Sequence, residues 1–465
     1  MKTDSVFLLH YDNNLDAFIP EMWAMESVAL LVENMVASNL VHRDFEMEFA
    51  RHGDTVNTRQ PANFTAKRKI NTDTVTIQDA TATNIPVKLD QHVHTSFLIH
   101  DGDETRSFLS LVNEYLRPAA ISMARFADQV VLGQYVHFLA NQAGSLGGLT
   151  NSNGVQYISE VGLEMNRNKA HATGRQQIWT PEAQSLLIQH PTFHQAERLG
   201  DDGTALRTAS LGEKLNFRHW MAQNMSQLNQ VNAADETGAV DLTAGYAKGA
   251  TALHVDGLTT DTADVVLGGQ FLTINGKVYQ LAANATSTGT DADITLTYGL
   301  KEAVANDDVI EFWPATNLAV GAYAAGYLKY ITIDDGSGGA PAEIQVGQAV
   351  SFGGDNYTVI DVVGSTILLD RALETAIVDN DPCFYGPEGG GYNMAFHKNA
   401  ITLAVRPLAP PRSGTGALSA VVNLGGVPMR VVITYDGDKQ GHLVTLDFLA
   451  GVKVLDTDLG ALALS

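Results

Sequence analysis

Apolar residues recur at helical spacing from Asp103 to Gln142, and this stretch carries the longest helical pattern in the chain. Phe108, Leu111, Val112 and Tyr115 share one side of a first helix, with Asp103 as N-cap, Glu104 in the first turn and an end near Leu116. Proline disrupts a helix interior but fits a first turn, so a second helix is expected from Pro118 to about Asn141. Ile121, Arg125, Asp128 and Leu132 follow one face of it; Met123, Phe126 and Val130 line another. At ~1.5 Å per residue it spans roughly 35 Å, the width of a domain, so other elements must pack along it.

Upstream, residues 1–20 show no period and read as an extended arm. Glu21–Asn39 is helical in pattern through Trp23, Val28, Leu31, Met35 and Val36, and Arg43–Phe49 alternates as a strand. Gly53-Asp54-Thr55-Val56 reads as a turn leading into an extended segment towards Pro61. In Phe64–Leu98, Thr74-Val75-Thr76-Ile77 and Ile85–Leu89 alternate on either side of the polar turn Asp79–Asn84. That predicts a long two-stranded hairpin. Such a hairpin is marginal alone in water, so it must lie on its own domain or on a neighbouring subunit, and the pattern leaves both open.

Downstream, Gly144–Gly154 reads as a loop and Ile158–Lys169 as a helix. Gly174–Trp179 reads as a strand feeding Thr180-Pro181-Glu182, an N-cap, a first-turn proline and a first-turn acid that open a helix to about Gln189. Leu215–Met225 reads as a strand, and the mixture predicts an α+β domain. An internal repeat follows. Gly269–Leu281 (GQFLTINGKVYQL) aligns without gaps with Gly347–Val359 (GQAVSFGGDNYTV). Ile294, Leu296, Leu300, Ala303, Val304 and Asp308 then match Ile367, Leu369, Leu373, Ala376, Ile377 and Asp381. A small β-barrel or sandwich present twice is expected, as a duplicated insertion. Gly386–Gly391 reads as a linker, and Met429–Tyr435 and His442–Phe448 as strands paired around Asp436–Gly441.

A length of 465 residues implies several domains, and the single cysteine, Cys383, excludes intramolecular disulfides. In an apolar strand beside Phe384 and Tyr385 it reads as buried and inert. No apolar run is long enough to span a membrane and the N-terminus has no signal-peptide pattern, so a soluble protein with no membrane partner is expected. A formal charge of −23 argues against tight direct binding of nucleic acid, because phosphates are repelled. No G-x-S-x-G, Walker-type loop or H-E-x-x-H occurs, so no catalytic residue and no cofactor are assigned. His92 and His94 share a strand face and, with His100 and Asp90, are the best metal candidates, yet no metal is expected there. Asp201-Asp202-Gly203 and Asp334-Asp335-Gly336-Ser337-Gly338 lack EF-hand spacing and read as turns. Lys67, Arg68 and Lys69 form a basic run in a base-poor chain. With Thr74, Thr76 and Lys88 on the same hairpin they are expected to touch the acidic surface of a neighbouring subunit.

Three features together resemble the major capsid (coat) protein of tailed bacteriophages with the Johnson fold, of the Hong Kong 97 phage type, in the branch with an inserted β-barrel domain. The first is the order of arm, helix, extended hairpin and long helix opening at Leu116-Arg117-Pro118-Ala119-Ala120. The second is Asn393-Met394-Ala395-Phe396-His397-Lys398-Asn399-Ala400 leading to Ala404-Val405-Arg406-Pro407, similar to the family segment after the insertion. The third is the closing strand pair ending in Gly451-Val452-Lys453-Val454. The doubled insertion departs from the family pattern.

The resemblance implies a non-enzymatic subunit that assembles with itself into pentamers and hexamers of an icosahedral shell in the virion. The shell would be assembled in the host cytoplasm and would enclose DNA without specific binding. Scaffold, portal and decoration proteins are the other partners it implies. It divides the chain into an N-terminal arm and helix (1–62), an extended hairpin or E-loop (63–100) and a peripheral domain with a spine helix (101–154). An axial domain (155–235), two inserted β-domains (236–315 and 316–388) and a return to axial and peripheral domains (389–465) follow. A cellular nanocompartment shell of the same fold is the main alternative, and a secreted β-rich hydrolase or adhesin a more distant one.

Overall fold

The computed structural model describes residues 35–43, 55–59, 66–71, 74–75, 77, 84–100, 115–194, 209–234, 236–258, 265–286, 290–313, 317–412, 416–424 and 427–465. The extended arm expected over 1–20, most of the helix expected over Glu21–Asn39, the strand expected over Arg43–Phe49 beyond Arg43, and the helix expected from Asp103 up to Glu114 lie outside them. The chain divides into two compact units, one of them comprising Met1–Asn34, His92–Ala124 and Val405–Leu449, the other Met35–Gln91, Arg125–Ala404 and Ala450–Ser465.

The sheet of the first unit runs in the order Leu418–Leu424, Val427–Asp436, Gly441–Val454, with Gln91–His100 on the last of these. The hairpin expected around Asp436–Gly441 is present, with Asp436 opposite Gly441. Asp436 Oδ1 accepts from Asp438 N (3.1 Å) and Lys439 N (3.3 Å), an Asx turn that fixes the tip. Alternation buries Met429, Val431, Val444, Leu446 and Phe448. The buried Asp447 is held by Arg430 through Nε (2.8 Å) and Nη2 (2.5 Å), so this charge is paired and not orphaned.

The second unit is built on a mixed sheet. Its order is Gln142–Gly144, Gly460–Leu464, Gly390–His397, Arg175–Trp179, Phe217–Met221, Glu213–Lys214, with Gln227–Leu228 also on Gly390–His397. Every residue of Gly460–Leu464 is buried. Ala461 and Ala463 share a core with Ile158, Val161 and Met165 of the helix Gly154–Arg167, where small side chains let helix and sheet approach. Thr180 caps the helix Pro181–Gln189 as its sequence predicts, accepting from Ala183 N at 3.3 Å.

The long helix expected to about Asn141 is α-helical over Arg117–Leu132 and then tightens to a 3-10 helix over Gly133–Asn141. Such a run is long for 3-10 geometry. Its cause lies in tertiary contact: a Cβ on Gly133 would sit 3.2 Å from the Cβ atoms of Thr358 and Asp370. Thr358 Oγ1 donates to Gly133 O (2.7 Å) and Gln134 Nε2 to Asp370 Oδ2 (2.8 Å). Higher up, Asp128 accepts from Val36 N (2.7 Å), Ser38 N (3.0 Å) and Ser38 Oγ (2.6 Å), and burial raises its pKa despite these donors.

Both copies of the repeat fold around one strand order. In the first, Lys277–Gln280, Phe271–Ile274, Val309–Phe312, Glu236–Val240, Ala252–Asp256 and Ala292–Thr295 follow one another around a sheet. A single bridge, Leu281 to Leu296, joins its two ends. In the second, Asp355–Val363, Ala349–Phe352, Pro382–Tyr385, Asn317–Ala319, Ile331–Asp334 and Thr366–Leu369 form a closed barrel in the same order. Equivalent polar groups do equivalent work. Buried Gln270 and Gln348 donate to Trp313 O (2.8 Å) and Gly386 O (2.9 Å). Tyr279 Oη and Tyr357 Oη accept from Lys301 N (3.0 Å) and Glu374 N (2.8 Å). The preceding Gly269 and Gly347 have φ of +95° and +88°, which explains the shared Gly-Gln pair.

The copies are joined by a reciprocal amide pair. Gln280 Nε2 donates to Asn356 Oδ1 (2.8 Å) and Asn356 Nδ2 to Gln280 Oε1 (2.9 Å). Both also seat on the long helix and the strand after it. Tyr135 Oη donates to Gly347 O (2.9 Å), and Gln142 Nε2 to Val278 O (2.5 Å).

Two expectations are corrected. The hairpin strand Asn84–Lys88 pairs with Thr55–Arg59, from Thr55 opposite Lys88 to Arg59 opposite Asn84, and not with Thr74–Ile77. The segment between the paired strands is therefore a longer excursion than a turn. Gly386–Gly391 is not a free linker: Gly386, Pro387, Glu388, Gly390 and Gly391 are buried. Glu388 accepts from Val231 N (2.7 Å), Asn232 N (2.8 Å), Asn232 Nδ2 (2.8 Å) and Gln348 Nε2 (3.1 Å). This carboxylate ties the exit of the second barrel to the entry of the first.

Candidate assembly surfaces

The excursion carried by Thr55–Arg59 and Asn84–Lys88 exposes what other segments bury. Lys67, Arg68, Lys69 and Thr74 are exposed, as is Lys88 at the base of the arm; Thr76 lies outside the described residues. Ile70, Val75 and Ile77 are exposed to 69%, 72% and 86%. Large apolar side chains this open, following three adjacent bases, form a segment suited to covering another surface.

The histidines are arranged differently. His92, His94 and His100 occupy the exposed face of Gln91–His100. The His92 and His94 rings are 5.9 Å apart, and His92 Nε2 is 3.9 Å from Asp447 Oδ2, an oxygen already held by Arg430. Among the described residues no three His, Cys, Asp or Glu side chains gather as metal ligands. Asp335 Oδ1 closes its own turn, accepting from Ser337 N (2.9 Å), Ser337 Oγ (2.8 Å) and Gly339 N (2.8 Å), and these donors lower its pKa. Asp201-Asp202-Gly203 lies outside the described residues. Cys383 is fully buried and its thiol pKa is pushed up by desolvation.

Three clefts among the described residues carry polar groups; one of about 200 Å³ is lined by Arg125, Gln129, Gln223, Asn224 and Gln227, and the other two are larger. One of about 360 Å³ at the root of the barrels is lined by Gln230, Thr273, Glu311, Trp313 and Glu388. Glu311 is engaged by Thr273 Oγ1, and Glu388 by the donors described above. The other, about 310 Å³, is walled by Trp179, His219, Trp220 and Met221. Trp179 Nε1 donates to His219 Nδ1 (3.0 Å), so His219 Nε2 carries the proton and donates to Lys214 O (3.2 Å). Burial pushes the His219 pKa down to about 4.

A surface that sequence reading missed lies on the second barrel. Tyr323 and Tyr327 have ring centroids 4.8 Å apart, and Tyr330 Oη donates to Asp361 Oδ2 at 2.6 Å. Val320, Val363 and Val378 are exposed around them, to 39%, 59% and 59%. Its only sequence signal is three tyrosines within eight residues, visible in Tyr323–Tyr330.

No protein-family model matches the chain, and no curated protein matches it. Among solved structures, it is similar to one from Mycobacterium phage Che8, with 12% identity, a TM-score of 0.43 and coverage of 92% of this chain and 90% of that one. It is similar to the capsid structure of the cyanophage P-SCSP1u at 9% identity and a TM-score of 0.41, covering 88% and 83%. A chain from the mature capsid of bacteriophage PhiM1 matches at 8% identity and a TM-score of 0.39, covering 89% and 82%.

Proposed function

We propose that the chain is the shell subunit of a tailed bacteriophage, a major capsid protein of the Johnson fold carrying a duplicated β-barrel insertion. The observation that carries this reading is the arm. Val75 and Ile77 stand 72% and 86% exposed on an excursion anchored by a two-stranded ladder. Covering such side chains contributes about 2 kcal/mol each, repeated at every subunit contact of a closed shell. The arm is then the E-loop, reaching over an adjacent subunit with Lys67, Arg68, Lys69, Thr74, Thr76 and Lys88 at the contact. The helix Arg117–Leu132 and its 3-10 continuation form the spine. The mixed sheet around Gly390–His397 belongs to the axial domain.

The role is structural. Subunits associate into pentamers and hexamers, and the shell holds DNA by confinement. A charge of −23 per chain suits that, since it avoids gripping the genome. Scaffold, portal and decoration proteins complete the particle.

Sedimentation velocity and negative-stain microscopy of the purified protein test this reading. Closed shells or capsomer rings are expected. A monomer that persists across salt and concentration, with and without scaffold, refutes it. Encapsidated DNA rather than protein cargo separates a phage shell from a nanocompartment.

A further inference from the structure

The two barrels serve as each other's control. Their hydrogen bonds superimpose position on position: Asp241 N donates to His254 O as Val320 N does to Thr332 O, both at about the same length (3.0 and 2.9 Å). Leu300 N donates to Ala250 O (2.9 Å) as Leu373 N does to Tyr327 O (3.1 Å). Ala305 N donates to Asp308 Oδ2 (2.8 Å) as Val378 N does to Asp381 Oδ2 (2.7 Å). Leu253 pairs with Ile294 as Ile331 pairs with Ile367, which sets Ala252 against Tyr330. On one skeleton, then, the second barrel carries Val320, Tyr327, Tyr330 and Val378 where the first carries Asp241, Ala250, Ala252 and Ala305. The shared strand order and these hydrogen bonds do not depend on the four side chains, because the first copy has both without them.

The substituted positions form one face. Tyr323 Oη donates to Val320 O (2.9 Å), Tyr323 pairs with Ile377 beside Val378, and Tyr330 is tied to Asp361, two residues before Val363. The rings are held in place before any partner arrives, which lowers the entropy cost of docking. The rim carries two carboxylates, Asp361 and Asp379, whose Oδ1 accepts from Gly321 N at 2.6 Å, and one ammonium, Lys329. These three groups leave the rim with a net negative charge, which favours a basic partner. The arm has the complementary character: exposed Val75 and Ile77 with Lys67, Arg68 and Lys69.

We propose that the aromatic face of the second barrel is the seat for the arm of a neighbouring copy of this chain, with apolar side chains at the centre and the basic run against Asp361 and Asp379. This rests on the shell reading, and it gives the second barrel a role that the first does not share.

Amine-reactive cross-linking of particles assembled from mixed light and isotope-labelled subunits tests it without mutation. Lys329, exposed beside Tyr330, is expected to link to Lys67 or Lys69 in mixed-label pairs. Arm lysines linked between copies to other sites but never to Lys329, or Lys329 linked to a different protein, overturn the proposal while the shell stands. Links confined to pairs of the same label overturn it as well, and so does the absence of any particle, which also removes the shell reading.

A second measurement uses engineered disulfides, since the native Cys383 is buried. Val75→Cys with Val378→Cys should give an oxidised ladder of copies, whereas Val75→Cys with Ala305→Cys should not. Equal ladders, or none from either pair in intact particles, overturn the assignment. Tyr327→Ala with Tyr330→Ala, which restores the residues of the first barrel, should lower the Lys329 cross-link roughly tenfold. An unchanged yield counts against the seat.

Discussion

Replacing Glu388 by Gln should loosen the root of both barrels while leaving their cores intact. The carboxylate offers two oxygens to four donors: Oε2 to Val231 N and Asn232 N, Oε1 to Asn232 Nδ2 and Gln348 Nε2, at 2.7 to 3.1 Å. Glutamine has one acceptor oxygen and one NH2. Whichever way the amide turns, two of the four donors then face another donor. Glu388 is only 3% exposed, and the cleft beside it lets water recover part of what is lost. A hydrogen bond to a buried charged acceptor is worth ~1.5–3 kcal/mol, and two of them, after local relaxation, make a loss of about 3 kcal/mol. In a multidomain chain a global melting temperature would blur that figure, so the local opening equilibrium is the proper readout. Amide hydrogen exchange at Val231 and Asn232 should quicken roughly 100-fold in Glu388→Gln. Glu311→Gln, at an exposed strand position, should leave those amides alone. If exchange at Val231 and Asn232 is unchanged, the strap is held by packing and the reasoning fails.

Acid should destabilise the fold through His219. An exposed histidine gains its proton near pH 6.5 and the buried one only near pH 4, so the unfolded chain binds protons first as pH falls. The stability is present in full above the unfolded value and is lost downward through this window, by up to about 3 kcal/mol. Urea midpoints at pH 7 and pH 4.5 should show the loss, and His219→Asn, which can still accept from Trp179 Nε1, should reduce it, leaving the part due to His137, whose pKa burial pushes down to about 3. Cys383 should resist a thiol reagent in the native protein and react as one equivalent after denaturation; prompt native labelling would contradict its burial. Gly144→Ala should cost more than about 3 kcal/mol by chemical denaturation. At Gly144, with φ +75°, the new Cβ would lie 2.3 Å from the Tyr157 ring. Gly249→Ala, with φ +92° and open space around it, should cost only the backbone strain of about 1 kcal/mol. Equal costs at both sites would mean that the neighbourhood of Gly144 yields.

Elements whose signals are local were legible in the sequence. Thr180-Pro181-Glu182 names a helix start because the cap, the fixed φ and the dipole all act within one turn. The repeated Gly-Gln pair was legible because one chain prints it twice. Other features depend on partners far away in sequence. Alternation marks Ile85–Leu89 as a strand but does not say that its partner is Thr55–Arg59, which has little apolar pattern of its own. The change of helix type at Gly133 follows from Thr358 and Asp370, while the apolar rhythm of Tyr135, Val136, Phe138 and Leu139 runs on as if nothing happened. Gly386–Gly391 has the composition of a flexible joint, yet its glycines serve close approach: a Cβ at Gly390 would sit 2.6 Å from Ser465 O. The aromatic face was hidden because it becomes visible only when the two copies are compared through their hydrogen bonds.

The strap at Glu388 also bears on how the chain finds its fold. Gly390 and Gly391 must pair with Leu228 and Gln227, and the whole double insertion lies between them in sequence. Joining strands across an open loop of roughly 160 residues carries an entropy cost on the order of 4 kcal/mol before any pairing gain. Barrels assembled from near neighbours fold early and bring Val231 and Glu388 within 2.7 Å. The sheet then closes a gap of a few residues instead of a distant one. In kinetic terms the insertion is an organiser: a barrel slow to fold should delay the sheet that it interrupts.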